Sequence, residues 1–524
     1  MLDPRNARPD TVLFARKALI ETAFLVGLRA RLDEAPLAGD YATILELVED
    51  IARQPSYREL IARDESALLL YAGTYAALRL CGRDDPEFRR IIQQAAAGGY
   101  AAAFERVPYR QLDLLHTLHL CGIEHGMPAM DDVLPFTVLC SHPNVLKLPD
   151  RDIYAITHTV FYVTDFGQRD PVWPRGYDLG EAVELLEALL VLAEARANAD
   201  LVGELLCCLL CLGITDSEAA DQGWRFLESV QEDNGRVNGP DGVVHPGLKS
   251  EDDEFRHWAE GYHTTIVVAL TGLLDRSPRR VARPRPDMPV TDVALVEPLR
   301  RAVLWLCDRS MMQDPGAGLP GVTAAAIGAA AIGEHRLVRP ALEHYAERLS
   351  DADPYVWQEQ GMEIAGEFAM ALRTAGVGCP SLEEFLKATA AVVNSLDSVP
   401  ADVMGNVQRL ISLGLTPSPA IALPQQPTPR GHRAYPLHAA TSLCEARESY
   451  QLGQLAATVR DLVQDGWRGH RITRDAISFL IGQQNGEGAF GYPASDDQAK
   501  RDQAHFSWTR SVVTALASAT GSCE

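Results

Sequence analysis

The sequence predicts an all-α protein built from two tandem domains of helix pairs, and three observations carry that prediction. Ala, Leu, Glu and Arg are abundant, and apolar residues recur three and four positions apart, the spacing of one helical face. Apolar runs end again and again at a glycine, which reaches the left-handed conformation that stops a helix without steric cost. The stops then recur at intervals near 40 residues in both halves of the chain, the period of helix pairs stacked as a solenoid or closed as an α/α toroid. At 47% hydrophobic and 23% charged residues, the 524-residue chain has a globular composition, which excludes a largely disordered or fibrous protein.

The first series of stops reads Gly82, Gly122, Gly167 and Gly213, at intervals of 40, 45 and 46 residues, with Gly272 following 59 later. Leu78-Arg79-Leu80-Cys81-Gly82 and Leu118-His119-Leu120-Cys121-Gly122 show the pattern most clearly. The rhythm resumes at Gly333, Gly376, Gly414 and Gly453, and Gly521 closes the second series. Between the two series, Asp275 to Pro289 is rich in proline and arginine, which oppose helix formation. The expected organisation is therefore a helical domain over 1–275, a linker over 276–296 and a second helical domain over 297–524.

Charge narrows the function classes. With 48 Lys+Arg against 71 Asp+Glu, the net charge of −23 repels phosphate backbones and anionic lipid, so neither nucleic acid nor a membrane surface is an expected partner. The cysteines are scattered except for Cys207, Cys208 and Cys211, which sit in an apolar run and read as small buried hydrophobes. Cys207 and Cys211 share a helical face, so a metal pair there is the alternative. The N-terminus has no apolar signal core, and the longest apolar stretches carry charges at helical spacing. A reduced, cytoplasmic, soluble protein without a membrane span is expected.

The last interval of each half contains an internal match. Phe226, Gln231, Gly235 and Val237 in the first half have the spacing of Phe479, Gln484, Gly488 and Phe490 in the second. Each copy leads into a similar helix, Tyr262-His263-Thr264-Thr265-Ile266 and Ser507-Trp508-Thr509-Arg510-Ser511. This pattern resembles the QW motif, Q-x-x-x-G-x-W, of the terpenoid cyclases and protein prenyltransferases. Phe490 stands in for the tryptophan of the motif, and Val237 does so weakly. The resemblance covers 220–275 and 472–521 directly; length and layout also resemble two-domain class II diterpene cyclases. It implies α/α toroids in which the glutamine caps helix ends and the aromatic packs across the turn. The motif is a stability element, so it speaks to fold.

The chemistry of that family is not spelled out in its usual motifs. The D-x-D-D acid motif of class II cyclases is missing; the nearest acid clusters, Glu251-Asp252-Asp253-Glu254 and Asp496-Asp497, have polar surroundings and read as solvated loops. Asp84-Asp85 and Asp131-Asp132 begin a magnesium-binding D-D-x-x-D without completing it. No segment reproduces the zinc ligands of the prenyltransferases or lanthionine cyclases, and aromatic residues are only 7%. Asp165-Phe166-Gly167 spells the kinase metal triplet without the other kinase signatures.

The histidines give the sharper lead. His116-Thr117, His158-Thr159 and His263-Thr264 each lie inside an apolar helix. His158 and Asp165 are seven apart and are expected on one helical face, as are His116 and His119, three apart. Two histidines and a carboxylate hold a divalent ion with open positions, and the same groups serve as general acid and base near neutrality. Buried histidines bonded to threonine or backbone are the structural alternative.

Two further segments carry charge into structured surroundings. Glu359 and Glu363 start an apolar helix, either as an acid pair on a cavity rim or as a solvated first turn. The proline-rich stretch from Pro417 to Pro436 carries Arg430 and Arg433, suited to an anionic group on a lid or binding loop.

The expectation is thus a biosynthetic enzyme acting on a small, largely apolar substrate in a cavity within or between the domains. It would be an unconventional terpenoid cyclase-like protein, with His158, Asp165 and His263 as the catalytic cluster. Tyr162, Tyr262, Trp508, Arg430 and Arg433 are the expected substrate contacts. One alternative is a metal-dependent enzyme with one divalent ion on His158, Asp165 and His263, or on His116 and His119. The other is a non-catalytic helical-repeat protein that binds through an exposed face.

Overall fold

A computed structural model describes residues 2–8, 11–33, 35–240, 253–278, 282–286, 293–351, 355–395, 404–415 and 434–520. The protein is all-α, and the described residues add only two isolated β-bridges, Ile214 with Arg283 and Gln484 with Phe490. No helix among them is long and apolar enough to cross a membrane. The chain divides into two compact units, Met1–Pro289 with His432–Ala440, and Val290–Gly431 with Thr441–Glu524. The division at 289/290 falls inside the 276–296 segment. Arg283 and Arg285 of that segment are tied to the first unit by ion pairs with Asp170 and Glu187.

We number the α-helices of nine or more residues. The first unit holds α1 (Val12–Leu32), α2 (Asp40–Ala52), α3 (Leu68–Leu80), α4 (Pro86–Ala97), α5 (Pro108–Cys121), α6 (Asp150–Val163), α7 (Leu179–Ala195), α8 (Ala199–Cys211), α9 (Glu218–Val230) and α10 (Asp253–Asp275). Their contacts run in a circuit: α1 packs on α3, α3 on α5, α5 on α6, α6 on α8, α8 on α10, and α10 returns to α1. The remaining helices attach to this circuit, α2 to α1 and α3, α4 to α3, and α7 and α9 to α8. Every residue of α8 is buried, so its Leu, Val and Cys side chains meet apolar neighbours on all sides.

The second unit holds α11 (Val296–Met311), α12 (Pro315–Ala331), α13 (Arg339–Leu349), α14 (Tyr355–Ala375), α15 (Pro380–Asn394), α16 (Met404–Ser412), most of α17 (Leu437–Glu448, whose first four residues are counted with the first unit), α18 (Leu452–Gln464), α19 (Arg471–Ile481) and α20 (Gln498–Ser518). Here α12 packs on α14, α14 on α16, α18 on α20, and α20 on α12. Gly361 interrupts α14 with a φ of 80°.

Glycine stops most of the helices it is expected to stop. Gly82, Gly122, Gly213, Gly333, Gly376 and Gly414 all have φ between 64° and 79°, each followed by a residue whose N–H returns to the last helical turn. Gly272 and Gly453 do not fit: they lie inside α10 and α18. Gly521 is outside the described residues. At Gly167 the helix has already ended, because Asp165 takes the left-handed position with φ 46° and the Phe166 N–H returns to the Phe161 carbonyl at 3.0 Å.

The two QW-like turns share two hydrogen bonds. Gln231 donates to the Gly235 carbonyl at 3.0 Å and Gln484 to the Gly488 carbonyl at 3.1 Å. The Val237 N–H donates to the Thr265 hydroxyl at 3.0 Å, and the Phe490 N–H to the Thr509 hydroxyl at 2.9 Å. Both units therefore close the same turn onto the same place in their last helix.

Candidate functional site

A cavity of about 560 Å³ lies within the first unit, and all six helices of the circuit contribute to its wall. The contributions follow helical spacing: Lys17, Ile20, Glu21 and Phe24 from α1, Arg110, Asp113 and His116 from α5, and His263, Ile266, Val267 and Leu270 from α10. Most of the wall is apolar. Phe24, Phe161, Tyr162 and Phe166 gather there, so a modest aromatic content is concentrated where a ligand would sit.

The polar pole of the cavity is set by α8. The Asn198 side chain accepts the Leu201 N–H at 3.1 Å and starts the helix. Asp200 is thereby placed in the first turn, where the helix dipole favours a carboxylate, and Glu204 one turn further on the same face. Asp200 accepts hydrogen bonds from Tyr154 at 2.7 Å and Thr264 at 2.8 Å. Glu204 is 3% exposed and accepts from the Thr157 hydroxyl on one oxygen; its other oxygen has no hydrogen-bond partner among the described residues. Burial pushes its carboxyl above the usual value, against the attraction of His158, and neighbouring Asp200 adds to the rise.

His263 completes the pole. Its Nδ1 lies 3.2 Å from Glu21, and its Nε2 lies 3.9 Å from Asp200. Burial alone would lower its pKa, but Glu21 and Asp200 outweigh it and raise the imidazole to about 9. Glu21 shows the reciprocal effect: burial opposes, His263 prevails, and the carboxyl falls to about 2. Tyr262 donates to the same Glu21 oxygen at 2.9 Å and stacks on Trp258, so it braces the pair from outside the cavity wall. His158 donates from Nδ1 to its own helix, at the Tyr154 carbonyl, 2.8 Å away. Its Nε2 is left as the acceptor, on a ring that lines the cavity, with Nδ1 3.6 Å from Glu204.

The structure thus brings His158, His263 and Tyr162 to one cavity but separates Asp165 from them. The expected common face of His158 and Asp165 does not form, because α6 ends at Val163 and Asp165 turns away. Its carboxylate instead meets Arg31 at 2.9 Å and His116 at 2.8 Å. His119 is exposed while His116 is buried, so the pair expected between them is also broken. Trp508 lies in the second unit, edge-on to Tyr450 and against Gly491. Arg430 and Arg433 fall outside the described residues, as do Glu251 and Asp252; Asp253 and Glu254 are exposed at the start of α10. Cys207 and Cys208 are fully buried, and burial drives their thiols well above the usual value.

Sequence reasoning missed Glu21, Asp200 and Glu204. The signal for the last two was present: they stand four apart in a run that is otherwise apolar on every face, so neither had a solvated side to occupy. Among the described residues, Asp200, Glu204 and His263 also form the one group able to hold a metal ion, with ligand atoms all within 4.8 Å of one another. An ion bound there would replace the expected set of His158, Asp165 and His263.

A family model described as "Domain of unknown function (DUF6895)" matches residues 1–273. The chain belongs to that family. No curated protein and no solved structure matches the chain. The DUF6895 match contains every side chain that lines the cavity and stops before the second unit begins.

Proposed function

We propose that this protein is an enzyme that performs acid–base chemistry on a small, largely apolar substrate in the cavity of its first unit. The observation that carries the reading is the convergence of Glu204, His158 and His263 in one cavity whose wall is mostly apolar and carries Phe24, Phe161, Tyr162 and Phe166. We read the circuit of six helices as an α/α toroid, in keeping with the QW-like turns and with a terpenoid cyclase-like ancestry.

In this scheme Glu204, whose carboxyl burial shifts toward the protonated form, donates a proton to a carbon–carbon double bond of the substrate. Phe24, Phe161, Tyr162 and Phe166 face the resulting cation. The electron pair of a second double bond closes the ring, and His158 Nε2 removes a proton. One proton enters and one leaves, so the reaction is an isomerisation that needs no co-reactant. His263, charged between Glu21 and Asp200, holds the acid pole in place.

The test is incubation with isoprenoid diphosphates and uncharged polyprenes, with products read by mass spectrometry. Cyclised isomers that disappear in Glu204→Gln and His158→Ala support the reading; no turnover of any apolar substrate removes it. Metal analysis runs beside it. About one equivalent of zinc, iron or manganese, lost on Glu204→Gln, would replace the proton chemistry with metal chemistry at Asp200, Glu204 and His263.

A further inference from the structure

The second unit repeats the helices that build the catalytic pole but not its chemistry. The matched turns set the register: Thr509 corresponds to Thr265, so Ser507 stands for His263, and α18 overlies α8 with Gly453 for Asp200 and Ala457 for Glu204. In α12, which packs on α14 and α20 as α1 packs on α3 and α10, the wall residues Pro320, Thr323, Ala324 and Ile327 repeat the spacing of Lys17, Ile20, Glu21 and Phe24. Ala324 therefore takes the place of Glu21. Glu21, Asp200, Glu204 and His263 thus each have a small residue as their counterpart.

A pocket nevertheless persists in the equivalent place, about 250 Å³ in volume. Its wall has been rebuilt in the opposite sense. Arg510, Ser511 and Thr514 stand where Ile266, Val267 and Leu270 line the first cavity, and Arg460 stands where α8 has Cys207. The Arg510 guanidinium has no hydrogen-bond or ion-pair partner among the described residues, and Arg460 makes only a 3.5 Å contact with Asp461. Across the pocket, Glu363 and Glu367 share Arg409, at 3.3 and 3.4 Å. The hydroxyls of Thr323, Ser511 and Thr514 donate to their own helices and so present lone pairs to a ligand's donors. In a chain of net charge −23, this pocket sets two guanidiniums, one of them unpaired, opposite two carboxylates that Arg409 already engages.

We propose that this pocket is a second, separate binding site for a small polar molecule that carries an oxyanion, a carboxylate or a phosphate, together with hydrogen-bond donors. The oxyanion sits between Arg460 and Arg510, and the donors face Glu363, Glu367 and the hydroxyls. The site stands independently of the chemistry assigned to the first unit, because it shares no residue with it.

Calorimetric titration of the full chain with inorganic phosphate, glycerol 3-phosphate and malate tests the site. Saturable binding of one of them is expected, and which one binds separates phosphate from carboxylate. Arg510→Gln should weaken that binding by about tenfold or more. Thr514→Leu, which installs the residue the first unit uses at this place, should weaken it comparably and serves as the probe if Arg510→Gln does not fold. Glu204→Gln should bind as the unmodified chain does. The proposal is overturned if none of the three probes saturates, if binding survives in the Arg460→Gln/Arg510→Gln double variant, or if Glu204→Gln abolishes it.

Discussion

Glu21 takes the Nδ1 side of the His263 ring at 3.2 Å, which turns Nε2 toward Asp200 at 3.9 Å. One carboxylate fixes the tautomer and orientation of the imidazole, and a second stabilises its charge. Removing the first should therefore lower the His263 pKa from about 9 toward its ordinary 6.5. In metal-free Glu21→Gln protein, the ring-proton resonance of His263 is expected to titrate at least about one pH unit lower than in the unmodified chain. An unchanged midpoint would mean that Glu21 is not its partner.

The same pair makes stability depend on pH in a definite direction. His263 is raised, so its contribution is complete below about 6.5 and is lost as pH rises through about 9. Glu21 is depressed, so its contribution is present above about 4.5 and fades as pH falls through about 2. The melting difference between the unmodified chain and Glu21→Gln should be widest near pH 5–6 and should narrow by pH 9 (approximate bounds from these shifts).

Glu204 has the opposite sign. A carboxyl raised in the folded state binds its proton more tightly there than in the unfolded chain, so stability falls as pH rises above its ordinary 4.5. Glutamine keeps the shape and can still meet Thr157, without the charge. Glu204→Gln is therefore expected to melt higher than the unmodified chain at pH 7 and equally at about pH 4, while losing turnover. A lower melting temperature at neutral pH would sink this account.

The helical class, the glycine stops and the paired turns were legible because each rests on local chemistry: a spacing, a left-handed glycine, a glutamine reaching across a turn. The cavity side chains were only half legible. His158 and His263 stood out as polar residues in apolar helices, but their partners come from α1 and α8, distant in sequence, and no local pattern joins Glu21 to His263. Asp165 was misplaced for a different reason. Helical spacing assumed that α6 continued to Gly167, whereas an aspartate can itself take the left-handed position and end the helix two residues earlier.

That aspartate then has a structural task. It accepts from Arg31, which is 16% exposed, and from His116, which is 2% exposed. Asp165→Ala would leave both without their anion and place a less tolerant residue at φ 46°. A loss of about 2–4 kcal/mol in urea unfolding is expected, with kcat per folded molecule little changed. Strong loss of kcat at unchanged stability would return Asp165 to the catalytic group.

The two matched turns allow a test in which the backbone conformation is held constant. Gly235 and Gly488 have φ of 87° and 103°, so alanine is disfavoured at both, by about 1–2 kcal/mol. Their surroundings differ. An added methyl at Gly235 meets nothing within 4 Å, whereas at Gly488 it falls 2.7 Å from the Arg301 carbonyl oxygen. The second turn has little room to retreat, because Gln484 donates to the Pro298 carbonyl at 2.9 Å and Arg301 to the Asn485 carbonyl at 2.8 Å, clamping it to α11. Gly488→Ala should therefore destabilise its unit by about 1–3 kcal/mol more than Gly235→Ala does its own. Hydrogen exchange supplies a local readout, since the Phe490 amide is held by Thr509 and should exchange faster in Gly488→Ala. Equal losses in the two variants would mean that the backbone penalty alone governs both turns and that the clamp on α11 yields without cost.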